Sequence, residues 1–259
     1  MTDLKSIPVP KKYKILLIGD SCIDEYYIGT CDRLNPEAPV PILNIKENFT
    51  MAGMAANVEK NLITLGQYVD FITNDVKIKK IRYIDKRSGQ HLLRVDDEPK
   101  IKPWSGKISI LKKNYDAIVI SDYNKGFLSY ETIEKVIKNF KQPIFIDTKK
   151  TDLKRFTGAY IKINFLEYNK LTTEPNDPNY LIVTNGENGA MHNLKHYPAS
   201  KVEVVDVCGA GDTFLSSLVY GFLESSKMEK AIEFAIKASS LTVQHRGNYS
   251  PKYSEILNS

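Results

Sequence analysis

Short apolar runs punctuate the chain, and each ends on a polar residue. Lys14-Ile15-Leu16-Leu17-Ile18 stops at Gly19-Asp20, and Ala117-Ile118-Val119-Ile120 stops at Ser121-Asp122. Ile144-Phe145-Ile146 leads to Asp147, Tyr160-Ile161-Lys162-Ile163 to Asn164, and Leu181-Ile182-Val183-Thr184 to Asn185. Continuous runs of this length predict strands buried on both faces. Between them, Ile133, Val136, Ile137 and Phe140 recur at helical spacing behind Ser129, a favourable N-cap. Strand alternating with helix predicts an α/β fold whose mostly parallel sheet is covered on both faces. Ligands of such sheets bind beyond the carboxyl ends of the strands, so the polar strand ends are expected to form the rim of a site.

Two segments break the alternation. Pro39-Val40-Pro41-Ile42-Leu43-Asn44-Ile45 is held extended by its prolines and β-branched residues. Ile81-Arg82-Tyr83-Ile84-Asp85 and His91-Leu92-Leu93-Arg94-Val95 flank Arg87-Ser88-Gly89-Gln90 and read as a hairpin. Together they predict a small sheet standing off the main one, which could serve as a lid, an edge sheet or a contact between copies. Between these segments lies Gly53-Met54-Ala55-Ala56-Asn57-Val58, followed by a helix with Val58, Leu62 and Leu65 on one face and Gly66 as its stop. Asn57 falls in the first turn, where its amide could satisfy backbone groups or grip a polyol. Residues 1–12 read as a loose polar lead-in.

The densest chemistry is in Val205-Asp206-Val207-Cys208-Gly209-Ala210-Gly211-Asp212-Thr213-Phe214. Phe214, Leu215, Leu218, Val219, Phe222 and Leu223 recur at helical spacing from there on, so the amides of Gly209, Ala210 and Gly211 fall at a helix N-terminus. Unpaired N–H groups and the helix dipole favour an anion at that end. Asp212 adds a carboxylate beside it, which could merely stabilise the first turn or could deprotonate a hydroxyl while the backbone holds a phosphoryl group. The dinucleotide fingerprint fails because Phe214 stands at its third glycine, and no Gly-Lys-Ser/Thr follows.

Composition narrows the choice. The chain of 259 residues is long enough for one large domain, and 36 Lys and Arg against 31 Asp and Glu leave a net charge of +5. Apart from Lys77, Lys79, Lys80 and Arg82, the basic residues are scattered, so no nucleic-acid partner is expected. Three cysteines (Cys22, Cys31 and Cys208) lack metal-type spacing and suit a reducing compartment. No run resembles a signal peptide or a membrane span, so the expected location is cytoplasmic, with no membrane partner.

Three motifs in order and spacing carry a resemblance: Asp206-Val207-Cys208-Gly209-Ala210-Gly211-Asp212-Thr213-Phe214, Gly53-Met54-Ala55-Ala56-Asn57, and Asn164-Phe165-Leu166-Glu167. Along nearly its whole length the chain resembles the ribokinase-like (PfkB) carbohydrate kinases. It is most similar there to the heptose 7-phosphate kinase half of bacterial ADP-heptose synthases, through Gly19-Asp20 with Asp24, Arg33-Leu34-Asn35-Pro36-Glu37-Ala38-Pro39-Val40-Pro41, Ser121-Asp122-Tyr123-Asn124-Lys125-Gly126 and Ile146-Asp147-Thr148-Lys149-Lys150. The resemblance implies a three-layer sandwich with a mostly parallel central sheet and a small β-sheet lid. It implies one kinase domain over 1–259, with lid segments at about 38–50 and 80–97.

The resemblance also implies roles. Asp212 is the general base, and Gly209, Ala210 and Gly211 form the anion hole. Asp24, Gly53 and Asn57 grip sugar hydroxyls. Asn164 and Glu167 orient Mg²⁺ through water. Thr184, Gly186 and Gly189, with residues 238–248 ending at Asn248, surround ATP. A potassium ion near Asp206 and Val207 and a homodimer through the lid occur among relatives. Arg82 and Arg94 on the hairpin, with Lys125 at a strand-end loop, are expected to hold a phosphate already on the acceptor. The implied reaction moves the ATP γ-phosphoryl group to a sugar or sugar-phosphate hydroxyl, with heptose 7-phosphate giving the 1,7-bisphosphate. Another sugar, a hexose phosphate, or a silent sugar- or nucleotide-binding regulator stays open.

The chain departs from that pattern in several places. Met54 replaces the usual second glycine and is expected to reshape the sugar pocket. Ile163 stands where many relatives have proline. Phe71-Ile72-Thr73-Asn74-Asp75 runs almost directly into the hairpin, where the heptose kinases carry an extra strand and helix, and no nucleotidyltransferase half follows.

Overall fold

The computed structural model describes residues 9–105, 107–108 and 114–259, so most of the lead-in expected at 1–12 lies outside the described residues. The apolar runs become β1 (Lys14–Gly19), β7 (Ala117–Asp122), β8 (Ile144–Thr148), β9 (Tyr160–Asn164) and β10 (Leu181–Thr184). With β4 (Tyr68–Thr73), β11 (Ala190–His192) and β12 (Lys195–Tyr197), they form one sheet in the order β12-β11-β10-β9-β8-β7-β1-β4. All pairs from β4 to β10 are parallel, and β11 and β12 close the far edge antiparallel.

Alternation along the strands sorts the core into two layers. Leu16 and Ile18 of β1 join Ile118, Ile120, Ile146 and Ile161 on the face covered by Ile133 and Val136 of α2 (Tyr130–Asn139). Ile15 and Leu17 turn the other way, toward Val58 and Leu62 of α1 (Ala55–Thr64) and Leu215 and Leu218 of α4 (Ala210–Ser225). α5 (Met228–Thr242) packs behind α4. Most strand residues are therefore out of water on whichever side they point, which is why these runs are predominantly apolar. Ser129 caps α2 as expected, its hydroxyl accepting from the Thr132 amide at 3.2 Å. Gly66, at φ +83°, follows α1 in the left-handed conformation that ends helices.

The second sheet differs in its parts from the sequence reading. Its order is β3-β2-β5-β6, with β2 (Ser21–Thr30), β3 (Asn44–Met54), β5 (Ile78–Asp85) and β6 (His91–Asp97). The hairpin is β5–β6, as expected. The proline-rich segment contributes only an isolated bridge, Leu34 to Pro41, because proline has no amide for a ladder, and pairing begins at Asn44. The central strand β2 was not anticipated. It alternates buried Cys22, Asp24 and Tyr26 with half-buried Ile23, Glu25 and Tyr27, a mixed pattern that apolar runs do not reveal. One residue, Asp20, separates it from β1.

Candidate functional site

The strand register brings the polar strand ends level. Gly19 is opposite Ser121, Ser121 opposite Asp147, Asp147 opposite Lys162, and Asn164 opposite Thr184. Buried Asp20 accepts from the backbone amides of Tyr123 (2.9 Å), Phe127 (3.3 Å) and Lys125 (3.4 Å), which folds the loop after β7 over the rim. Burial first, and Asp122 second, push the Asp20 carboxyl above its usual value, against the pull of those amides.

Asp212 is at the start of α4, its side chain turned into this rim. Gly209 caps the helix at φ +75°, and a methyl group there would approach within 2.8 Å of the Asn57 amide nitrogen and 2.9 Å of Asn248 Oδ1. Only glycine fits both the angle and the space. The Asp212 carboxylate accepts from Asn57 Nδ2 at 2.9 Å on Oδ2 and from the Tyr123 hydroxyl at 2.7 Å on Oδ1. It is 5% exposed, and burial lifts its pKa to about 6. Those two hydrogen bonds and Lys162 pull the value down, while Asp147 adds to the rise. Asn57 is itself fixed, because Asn61 donates to its backbone carbonyl at 2.8 Å and Thr213 donates to Asn61 at 3.1 Å, tying α1 to α4.

Beside the helix start opens a cavity of about 730 Å³, whose walls include Gly211, Lys162, Asn164, Thr184, Gly186 and Gly189. Residues 239, 240 and 243 of the expected 238–248 segment line it too. Gly189 has φ +83°, and a Cβ there would meet the Tyr197 carbonyl at 2.0 Å, so the β10–β11 turn closes tightly against β12. Lys162 Nζ donates to Asp147 Oδ2 at 2.7 Å and to the Gly211 carbonyl at 3.3 Å, placing a buried cation at the amide cradle. Asn164 and Glu167 form a reciprocal cap on the short α3 (Phe165–Tyr168), and the outer Glu167 oxygen pairs with Lys149. Among the described residues no group of three or more His, Cys, Asp or Glu side chains could cage a metal alone. Asn164 in the cavity wall, with the Glu167 carboxylate hydrogen-bonded to its backbone amide, is instead a donor set of the kind that suits a Mg²⁺-type ion keeping most of its waters.

Asp24, on β2, is linked to the start of α4 through Asn248, which lies against Gly209. Arg82 Nη1 donates to Asp24 Oδ1 at 2.6 Å and Asn248 Nδ2 to its Oδ2 at 3.3 Å. A Cβ on Gly53 would come within 2.3 Å of the same carboxylate, so glycine is what lets Asp24 lie over β3. These groups thus satisfy one another, apart from the buried Tyr26 hydroxyl, which has no partner among the described residues and belongs to a ring 5.1 Å from the Arg82 guanidinium. Asp206 accepts from the amides of Cys208 (2.9 Å) and Gly247 (2.8 Å), which hold its carboxyl below the usual value against burial.

Several expected residues stand elsewhere. Arg94 is opposite Arg82 on the outer strand, exposed, with its guanidinium on Asp96 at 2.7 and 2.8 Å. Lys125 is paired with Glu98 at 2.6 Å. Arg82 and Arg94 are thus cross-strand neighbours, and Lys125 acts on the same Asp96, but each of the three cations expected to hold a phosphate is paired with a carboxylate of the chain itself. Asn248 lies against Asp24 and Gly209 rather than in the lining of the large cavity where a nucleotide contact was expected. The Met54 side chain does not reshape the pocket directly: it is buried in the hydrophobic layer with Cys22 and Ile78, although its backbone takes φ 57°. The sequence reading missed Tyr123, Tyr26, Asp147, Lys149 and Lys162. For Lys162 a signal existed, a lone lysine inside the run Tyr-Ile-Lys-Ile.

Comparison with known proteins agrees with this layout. Residues 130–255 match the pfkB family of carbohydrate kinases. The bifunctional protein HldE of Nitratiruptor sp. is 31% identical over 95% of this chain and 64% of its own length. This chain spans under two thirds of the curated relatives it matches, and alignments exceed 300 positions against its 259 residues, so those relatives hold internal residues it lacks. The fold matches Escherichia coli phosphofructokinase-2, solved with potassium, at TM-score 0.72 (14% identity, 95% of this chain and 97% of that one). It also matches Arabidopsis thaliana ribokinase, solved with ribose and ATP, at 0.68 (16% identity, 96% and 98%). The two-sheet ribokinase fold, the profile matching residues 130–255 and relatives at about 30% identity all agree with the motifs gathered on the rim, and together they mark the chain as a carbohydrate kinase similar to the pfkB family.

Proposed function

We propose that the protein transfers the γ-phosphoryl group of ATP to a hydroxyl of a phosphorylated sugar, and that the acceptor is heptose 7-phosphate, taken at its anomeric hydroxyl. The observation that carries this reading is the buried Asp212 carboxylate, held beside the Gly209–Gly211 turn at the mouth of the large cavity. In this scheme ATP lies in that cavity with its phosphates toward the start of α4, and Lys162 faces them. The acceptor lies between Asp24, Asn57 and Arg82 under the lid. Asp212 takes the hydroxyl proton as attack proceeds, a contribution on the order of 10²–10⁴ in rate. The amides of Gly209 and Gly211 stabilise charge on the transferring oxygens, while that of Ala210 donates to the Val207 carbonyl at 3.3 Å. Asn164 and Glu167 would hold Mg²⁺, which supplies further neutralisation of the phosphates when bound.

A potassium ion beside Asp206 and Val207 belongs to the same proposal, as does a cytoplasmic location, where ATP is at hand. A homodimer through the lid is supported by its outer face, where exposed Leu93 and Val95 adjoin the stacked Tyr27–Tyr83 pair. Among the described residues no helix is long and apolar enough to cross a membrane.

A second acceptor class, a free sugar, is favoured by one observation: Arg94 and Lys125 are spent on Asp96 and Glu98, and Arg82 on Asp24. A panel of sugars and sugar phosphates, assayed for ADP release with ATP and Mg²⁺, separates the two. Heptose 7-phosphate should give the highest kcat/KM, and Arg82→Gln should raise its KM at least tenfold. Preference for an unphosphorylated sugar, with KM indifferent to Arg82, would replace the heptose reading by the second one.

A further inference from the structure

The loop at residues 121–126 was expected to act through Lys125, yet Lys125 is occupied by Glu98. Tyr123 is the residue of that loop that reaches the chemistry. Its backbone is pinned by Asp20 at 2.9 Å, while Asp122 fastens the next turn by accepting from the Asn124 amide at 3.0 Å and from Thr148 at 2.6 Å. The ring is therefore presented on a rigid support. Its hydroxyl is 2.7 Å from Asp212 Oδ1, and its faces meet Lys149 at 5.2 Å and Lys80 at 5.7 Å from the centroid. Lys80 comes from the lid strand β5, and Lys149 is the partner of Glu167. One aromatic ring thus touches the base, the lid and the proposed metal-side carboxylate pair.

The structure assigns Tyr123, within the phosphotransfer reading above, as a positioning residue: its phenol fixes the Asp212 carboxylate and favours its charged form. Burial, with Asp212 and Asp147 next, pushes the phenol well above its ordinary value, so it remains a donor throughout the working range. A hydrogen bond to an ionised carboxylate is stronger than a neutral one and stabilises the ionised state. The other groups that face Asp212 are Asp147 from β8, Lys149 just beyond it, Lys162 from β9, Cys22 from β2 and the neutral Asn57 from α1. None is altered by Tyr123→Phe, which also keeps the ring between the two lysines and removes only the hydroxyl.

The test is the pH profile of that variant. In the parent protein the acid limb of kcat/KM should fall near pH 6, where Asp212 titrates. In Tyr123→Phe it should move up by about one pH unit, the size expected for loss of one charge-assisted hydrogen bond. Activity should recover to within about tenfold of the parent on the alkaline plateau. A uniform loss at every pH with an unmoved limb, or a limb displaced downward, would overturn the assignment. A ¹³C titration of the Asp212 carboxyl, identified by its absence in Asp212→Asn, reads the same displacement without turnover. If no acceptor is phosphorylated, the phosphotransfer reading fails, while an upward or unmoved carboxyl titration still decides for or against Tyr123 as the group that holds the charge.

Discussion

Replacing Asp212 by asparagine tests both the chemistry and the physics of the site, because the two consequences have opposite signs. The carboxamide keeps the shape of the side chain and can still accept from Asn57 while donating to the Tyr123 oxygen, so the fold is expected to survive. Turnover should drop by about 10²–10⁴, or some 3–5 kcal/mol of barrier, since no base remains to take the hydroxyl proton. Stability should rise. The parent carboxyl titrates near 6 in the folded state instead of its ordinary 3.8, because burial disfavours the charge. Below about pH 4 both folded and unfolded chains hold the proton, and nothing is lost. As pH climbs from 4 to 6 the unfolded chain releases its proton first, so folding becomes less favourable, and above 6 the full cost is present. A difference of about two units corresponds to about 3 kcal/mol. Urea unfolding at pH 8 should therefore show Asp212→Asn more stable than the parent by up to that amount, with the gain gone at pH 4. Equal stability at pH 8, or a gain that does not depend on pH, would refute the claim that a buried charge is held here at the expense of the fold.

Two further outcomes follow from the same geometry. Gly209→Ala should lower kcat by at least tenfold with little change in secondary structure by circular dichroism, because the new methyl is forced against Asn57 and Asn248 at an angle that L-residues avoid. Glu167→Gln should raise the Mg²⁺ concentration needed for half-maximal activity several-fold, measured by titrating the ion at saturating ATP, since one of two oxygen donors loses its charge. An unchanged Mg²⁺ requirement would leave Glu167 as a helix cap alone.

How much of this was legible in the chain depends on the kind of signal. The parallel strands announced themselves because a strand covered on both faces is mostly apolar, and the runs at 15–18 and 117–120 contain nothing polar. The helix start at Gly209 was readable because glycine and aspartate there have few other uses. β2 was hidden, since its half-buried face tolerates Glu25 and Tyr27 as readily as Ile23, and its inward Asp24 looks like a loop residue until Arg82 reaches it diagonally from β5. The spatial fate of Arg94 and Lys125 was equally closed to view. A cation's neighbour is decided by register and by loop closure, and both found carboxylates close by, at Asp96 and Glu98. Tyr123 was visible as a letter in a motif, but only the clamp from Asp20 explains why its ring faces the base.

That clamp bears on any attempt to rebuild the protein. Asp20 is both the one-residue joint between β1 and β2, where the chain first passes from floor to canopy, and the knot that gathers the loop at 123–127. A canopy borrowed from a cousin would arrive with its own joint, and the loop, left untied, would let the tyrosine drift off the carboxylate. Chimaeras in this family should keep the joint and the loop from one parent, and mismatched ones should fold and bind ATP yet turn over slowly.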